Sequence, residues 1–203
     1  MKKLIVIVAS LLVAVSAHAQ LGIVAGITSS KSTIDAAVSD VQNITQYHVG
    51  LTYKLDLGLI AIQPSIIYNV KGAKVQSIQA IGDLAAFDYK NGYLELPVQL
   101  QAGVNLGVAR VYGIVEPFIG YAITNSTTST NGAAIDVKWN EFKDKLEYGV
   151  GLGAGVELIK HVQVSARYFW NLGSANKAAI STAADAVRTK AASGIVASVA
   201  ILF

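Results

Sequence analysis

A chain of 203 residues has room for one domain, and a composition that is 53% hydrophobic and 14% charged is too apolar for an ordinary soluble protein. The absence of cysteine excludes a disulfide framework, a thiolate metal centre and a lipid-modified cysteine. The formal charge of +3 gives no argument for nucleic acid: taking Lys2 and Lys3, which belong to a separate leader, from the 16 basic residues leaves 14 against 13 acidic, a balance of +1.

That leader is the first element. Lys2 and Lys3 precede an apolar run from Leu4 to Val15, interrupted only by Ser10, and Ala17-His18-Ala19 follows as a small-x-small cleavage site. Residues 1–19 therefore read as an export signal, and residues 20–203 as one exported domain. The run is too short to span a bilayer, and no later stretch approaches the roughly 20 apolar residues of a membrane helix.

Hydrophobicity beyond the leader is dispersed in short alternating stretches. Leu21 to Ile27 is a first strand, with Leu21, Ile23, Ala25 and Ile27 on one face. After a polar segment, Ser29 to Gln46, the stretch Tyr47 to Leu55 sets Tyr47, Val49, Leu51, Tyr53 and Leu55 against His48, Gly50, Thr52 and Lys54. Asp56-Leu57-Gly58 is hairpin spacing and leads into a third strand, Leu59 to Tyr68. A long segment, Asn69 to Asn91, precedes the clearest alternation in the chain, Gly92 to Val104. There Leu94, Leu96, Val98, Leu100, Ala102 and Val104 oppose Glu95, Gln99 and Gln101. A tight turn at Asn105-Leu106-Gly107 leads into Arg110 to Ile123, and Thr124 to Asp144 is long again. Lys145 to Glu157 alternates apolar residues with glycine and glutamate, turns at Leu158 to His161, and continues as Val162 to Trp170. Leu172 to Ala192 is the last long segment, and Gly194 to Phe203 is the eighth strand.

Eight strands of about ten residues, joined alternately by long and short connections, describe an eight-stranded antiparallel transmembrane β-barrel with short periplasmic turns and long extracellular loops. Lipid makes closure obligatory, because unpaired amides in hydrocarbon cost several kcal/mol each. A soluble lipocalin-type barrel is the competing architecture, and the loop asymmetry and apolarity favour lipid. Pro64, Pro97 and Pro117 fall inside strand patterns and read as bulges or as positions near an interface. Tyr47, Tyr53, Tyr68, Tyr112, Tyr121, Tyr148, Tyr168 and Trp170 read as interfacial girdles.

Three stretches carry a resemblance to a known family: Gly92-Tyr93-Leu94-Glu95-Leu96-Pro97-Val98, Glu116-Pro117-Phe118-Ile119-Gly120, and the glycine-rich Tyr148 to Glu157. They resemble the PorT-like or "porin family" outer-membrane barrels common in Bacteroidetes. The likeness spans the mature chain and implies an outer-membrane barrel of a Gram-negative bacterium, with an accessory role in a secretion system among the alternatives. Gln99 and Gln101 depart from the more apolar or lysine-bearing continuation expected after the proline.

With the apolar face in lipid, the lumen receives Glu95, Gln99, Gln101, Glu116, Glu147, Glu157, Gln163 and Arg167. An eight-stranded barrel is just wide enough for side chains to fill, so these are expected to form a plug in which Arg167 pairs with one or more of the glutamates. Gly149, Gly151, Gly153 and Gly155 face inward and make room for neighbours such as Phe118, Phe169 or Arg167. No enzyme is expected. His161 lies about 13 Å from Ser165 along an extended strand, His48 reads as a hydrogen-bonded wall residue, and two histidines without clustered carboxylates make a poor metal site. No cofactor is expected either.

The expected partners are outer-membrane lipid, the barrel-assembly machinery through the C-terminal strand ending in Phe203, and a surface or envelope protein. For that last contact, Trp139 and Phe142 are the candidates, on a hairpin suggested by the alternation of Ile135 to Asn140. Residues Ala178 to Ala192 carry apolar residues at helical spacing. The functional expectation is a structural or surface-interaction barrel, with a narrow solute pore as the alternative.

Overall fold

The computed structural model describes residues 19–34, 41–75, 87–129, 134–135, 145–173 and 189–203. The strands are β1 (Ala19–Ile34), β2 (Val41–Asp56), β3 (Ile60–Val75), β4 (Phe87–Asn105), β5 (Ala109–Ser129), β6 (Ala134–Ile135), β7 (Leu146–Leu158), β8 (Val162–Gly173) and β9 (Thr189–Leu202). All pairings are antiparallel. Neighbours run β4-β3-β2-β1-β9-β8-β7-β5, and β4 pairs with β5 to close the ring. β6 is a two-residue addition to the far end of β5, pairing Ala134 and Ile135 with Thr128 and Thr127. The result is a closed, all-β barrel of eight staves.

Three of the connections are tight. Leu57 N–H donates to Ile60 O at 2.8 Å and Leu106 N–H to Ala109 O at 2.6 Å, each across a glycine of positive φ, Gly58 at 90° and Gly107 at 83°. The third turn has no glycine: Ile159 and Lys160 themselves take φ of 51° and 61°, a region β-branched residues rarely enter. His161 N–H closes it on Leu158 O at 3.0 Å. Both ends of the described chain, Ala19 and Phe203, lie on this turn side.

The eight staves are longer than the alternating cores of the sequence, running from 12 residues in β8 to 21 in β5. A tilted strand crosses a membrane in about 9–11 residues, so the surplus extends on the long-connection side. Residues expected in loops belong to strands here: Ser29 to Ile34, Val41 to Gln46, Asn69 to Val75, Phe87 to Asn91, Thr124 to Ser129 and Thr189 to Ala192. A strand that continues beyond the bilayer needs no two-faced apolar pattern, and the sequence of these extensions has none. Every register shift lies on that side too, at Ser32/Ile34, Asn43/His48, Gly92/Tyr93 and Tyr148/Gly149.

The prolines are therefore not bulges. Register is unbroken across Pro64, Pro97 and Pro117, and each costs the ladder a donor without displacing its strand. Alternation sorts the side chains as expected, with Leu94, Leu96 and Leu100 exposed outside and Glu95, Gln99 and Gln101 buried inside. Tyr112 is a correction: only 2% exposed, it fills the lumen and is no part of a girdle. Apart from Ala19, the proposed leader lies outside the described residues, as do Trp139, Phe142 and the alanine-rich stretch up to residue 188.

A side-chain network in the lumen

The buried interior is mostly polar, and its contacts fall into three tiers along the barrel. At the turn end, Lys54 Nζ donates to Glu157 Oε2 at 2.6 Å and to Asp56 Oδ2 at 2.9 Å, while Gln163 Nε2 also donates to Glu157 Oε2, at 2.7 Å. Asp56 Oδ1 also accepts from the Gly58 N–H at 2.9 Å. Beside this pair, Arg110 Nη1 donates to Gln101 Oε1 at 3.0 Å, and Gln101 Nε2 donates to Gln63 Oε1 at 2.8 Å and Gln99 Oε1 at 3.0 Å. The Arg110 guanidinium sits 5.1 Å from the Tyr112 ring centre.

In the middle tier, Arg167 Nε lies 3.1 Å from Glu116 Oε1, an ion pair without the alignment of a hydrogen bond. Its other nitrogens donate to Ser165 Oγ at 3.0 Å and Ser198 Oγ at 3.1 Å. Glycine spacing makes this possible. A Cβ on Gly153 would stand 2.8 Å from Arg167 Cγ, one on Gly149 2.6 Å from the Phe118 ring, and one on Gly155 2.6 Å from the Tyr112 ring.

The third tier, towards the long connections, is centred on Lys71. Its ammonium lies 2.7 Å from Glu95 Oε1 and 2.6 Å from Glu147 Oε1, with the rings of Phe118, Phe169 and Tyr93 centred 4.5, 4.8 and 5.6 Å away. Carboxylates do cluster here, contrary to expectation, but the place a cation would take between them is filled by Lys71 Nζ.

A single hydrogen-bonded chain joins this tier to the middle one. Glu95 accepts from Asn69 Nδ2 at 3.1 Å, which leaves Asn69 Oδ1 to accept from Thr28 Oγ1 at 2.9 Å. The Thr28 proton being spent, His48 Nδ1–H is the donor in its 3.2 Å contact with Thr28 Oγ1. His48 Nε2 then accepts from Ser198 Oγ at 2.9 Å, and Ser198 in turn accepts from Arg167. His48 is thus a wall residue with both nitrogens partnered. A serine on an imidazole nitrogen is also how a nucleophile meets its base, but here the third group is a threonine hydroxyl, and Ser198 is buried. His161 sits apart in the turn, its Nδ1 2.6 Å from Ile159 O.

All eight sequence-derived lumen residues face inward. Lys54, Lys71, Arg110, Asn69, Gln63 and Ser198 join the network beyond those eight. Lys54 and Arg110 have the inward parity of their strands; Lys71 and Asn69 lie where the sequence predicts a loop.

A family model described as an outer membrane protein β-barrel domain matches residues 14–176. No curated protein matches the chain. Among solved structures, the chain is similar to Ail, the attachment invasion locus protein of Yersinia pestis, at 14% identity and a TM-score of 0.46 over 92% of this chain and 99% of that one. It is also similar to neisserial surface protein A, at 12% identity and a TM-score of 0.46 over 90% of this chain and 97% of the other.

Proposed function

The chain belongs to the outer membrane protein β-barrel domain family and resides in the Gram-negative outer membrane, and from that premise we propose that it is a plugged, non-catalytic barrel whose function is carried by its extracellular connections. The observation that carries this reading is the lumen: charged groups from staves on opposite sides meet inside it, as Lys54 of β2 meets Glu157 of β7. A barrel so filled has its free chemistry on its surfaces, and rigid scaffolds commonly present function on loops. Trp139 and Phe142 are the proposed contact residues of a surface or envelope partner. The PorT-like likeness of the proline and glycine strands belongs to the same reading, without a secretion role.

Planar-bilayer recording tests it. The expected result is no steady conductance for the wild type. A large steady conductance altered by Glu95→Gln would overturn the plug and favour the narrow-pore alternative. In cells, photo-crosslinkers at Trp139 and Phe142 should capture a discrete envelope component that crosslinkers at Leu96 do not. N-terminal sequencing of the membrane-extracted protein should begin at Gln20.

A further inference from the structure

The outer face of the barrel is asymmetric. Tyr53 lies in the turn half of β2, whereas Tyr47, Tyr68, Tyr121, Tyr148, Tyr168 and Trp170 lie in the long-connection half of their strands, several in contact: Tyr47 with Tyr68 at 6.3 Å and Tyr168 with Trp170 at 4.7 Å between ring centres. They mark one interface. From Tyr47 to Leu57 and from Tyr148 to Leu158 is ten residues, which at about 2.5 Å of height per tilted residue is about 25 Å, the full apolar band. The other interface therefore falls at the turn tips. Those tips are rich in apolar residues: Leu57, Leu59, Leu106, Val108, Ile159 and Phe203 are 61–78% exposed and extend the lipid-facing surface, with Asn105, Lys160 and His161 exposed among them.

Between two of these tips lies a half-open cavity of about 250 Å³, lined by Asn105, Val108, Arg110, Glu157 and Lys160 among others. Arg110 is 2% exposed; its Nη1 and Nη2 donate to Gln101 Oε1 and Leu59 O, while its Nε, like that of Arg167, has no hydrogen-bond partner, a state that leaves a buried guanidinium N–H unmet. Glu157 is already engaged by Lys54 and Gln163. The tight turn lifts Lys160 to the cavity's edge, anchored by Gln20 Nε2 donating to Lys160 O at 3.0 Å.

We propose that this cavity binds the phosphodiester of an inner-leaflet phospholipid, with Lys160 and Arg110 as donors and the acyl chains lying over Val108 and Ile159. An unmet buried donor and a free ammonium suit a monoanionic phosphate. The exposed apolar side chains beside the cavity, Val108 and Ile159, select a lipid over a free anion, because a headgroup held here keeps its chains against apolar protein surface.

Two measurements test this. Native mass spectrometry of the full barrel released from detergent containing phosphatidylglycerol should show one retained lipid, undiminished by millimolar inorganic phosphate. Lys160→Glu, on an exposed turn, should lower its occupancy about tenfold, the size of one charge-assisted contact. The chain has no cysteine, so a nitroxide on Val108→Cys reports depth at a single site; it should be relaxed more by oxygen than by a water-soluble nickel chelate. Retention unchanged in Lys160→Glu, displacement by phosphate alone, or a label as open to the chelate as one in water would each overturn the proposal.

Discussion

Lys54 and Glu157 stand on diametrically opposite staves, β2 and β7 in the ring of eight, yet Lys54 Nζ lies 2.6 Å from Glu157 Oε2. A single ion pair therefore ties across the barrel what backbone ladders only tie around it. Removing one member leaves the other charge buried and unpaired, which typically costs about 3–5 kcal/mol, whereas replacing both by apolar groups of similar volume is close to neutral. Lys54→Ala should fall in that range in urea unfolding from liposomes, and Lys54→Met with Glu157→Leu should recover most of the loss. Additive losses in the double variant would show that the two residues do not act as a pair.

Gly155 is the space into which Tyr112 packs. A methyl there would meet the ring at 2.6 Å, and the Arg110 guanidinium already stands 5.1 Å from the ring centre. Gly155→Ala is expected to destabilise by about 1–3 kcal/mol, the usual cost of overpacking, and Tyr112→Leu on that background to restore part of it. Gly113 faces outward with nothing nearer than 3.9 Å to a Cβ, so Gly113→Ala serves as the control and should be tolerated.

The glycine, like the glutamates, was legible in the sequence because period-two alternation assigns every residue of a strand to a side. Glu95, Gln99 and Gln101 follow from Leu94, Leu96 and Leu100 in this way. Partners were not legible. That Lys54 reaches Glu157 and Lys71 reaches both Glu95 and Glu147 depends on stave order and on the stagger between strands, which alternation within one strand does not encode. Lys71 was hidden for a second reason: Asn69, Val70 and Lys71 are all buried, so the alternating pattern breaks there although the strand continues. Tyr112 shows the converse error, an aromatic assigned to a girdle by type when its parity, shared with Ile114 and Glu116, placed it inside.

Charge placed on the outer face should read out the depth of each position. Leu100 lies in β4 five residues above the turn end at Asn105, about halfway across the apolar band, and a lysine there faces hydrocarbon, so Leu100→Lys should cost about 2–4 kcal/mol. Leu106 lies in the turn six residues further on, 65% exposed; at the interface Leu106→Lys should cost no more than about 1 kcal/mol. Val104 lies between them on the same face and should give an intermediate value. A graded series of three, measured by reversible unfolding in the same liposomes, places the lower boundary of the hydrocarbon between Val104 and Leu106. Equal penalties at Leu100 and Leu106 would instead sink the turn tips deep into the apolar layer, and no penalty at Leu100 would remove that strand from lipid altogether.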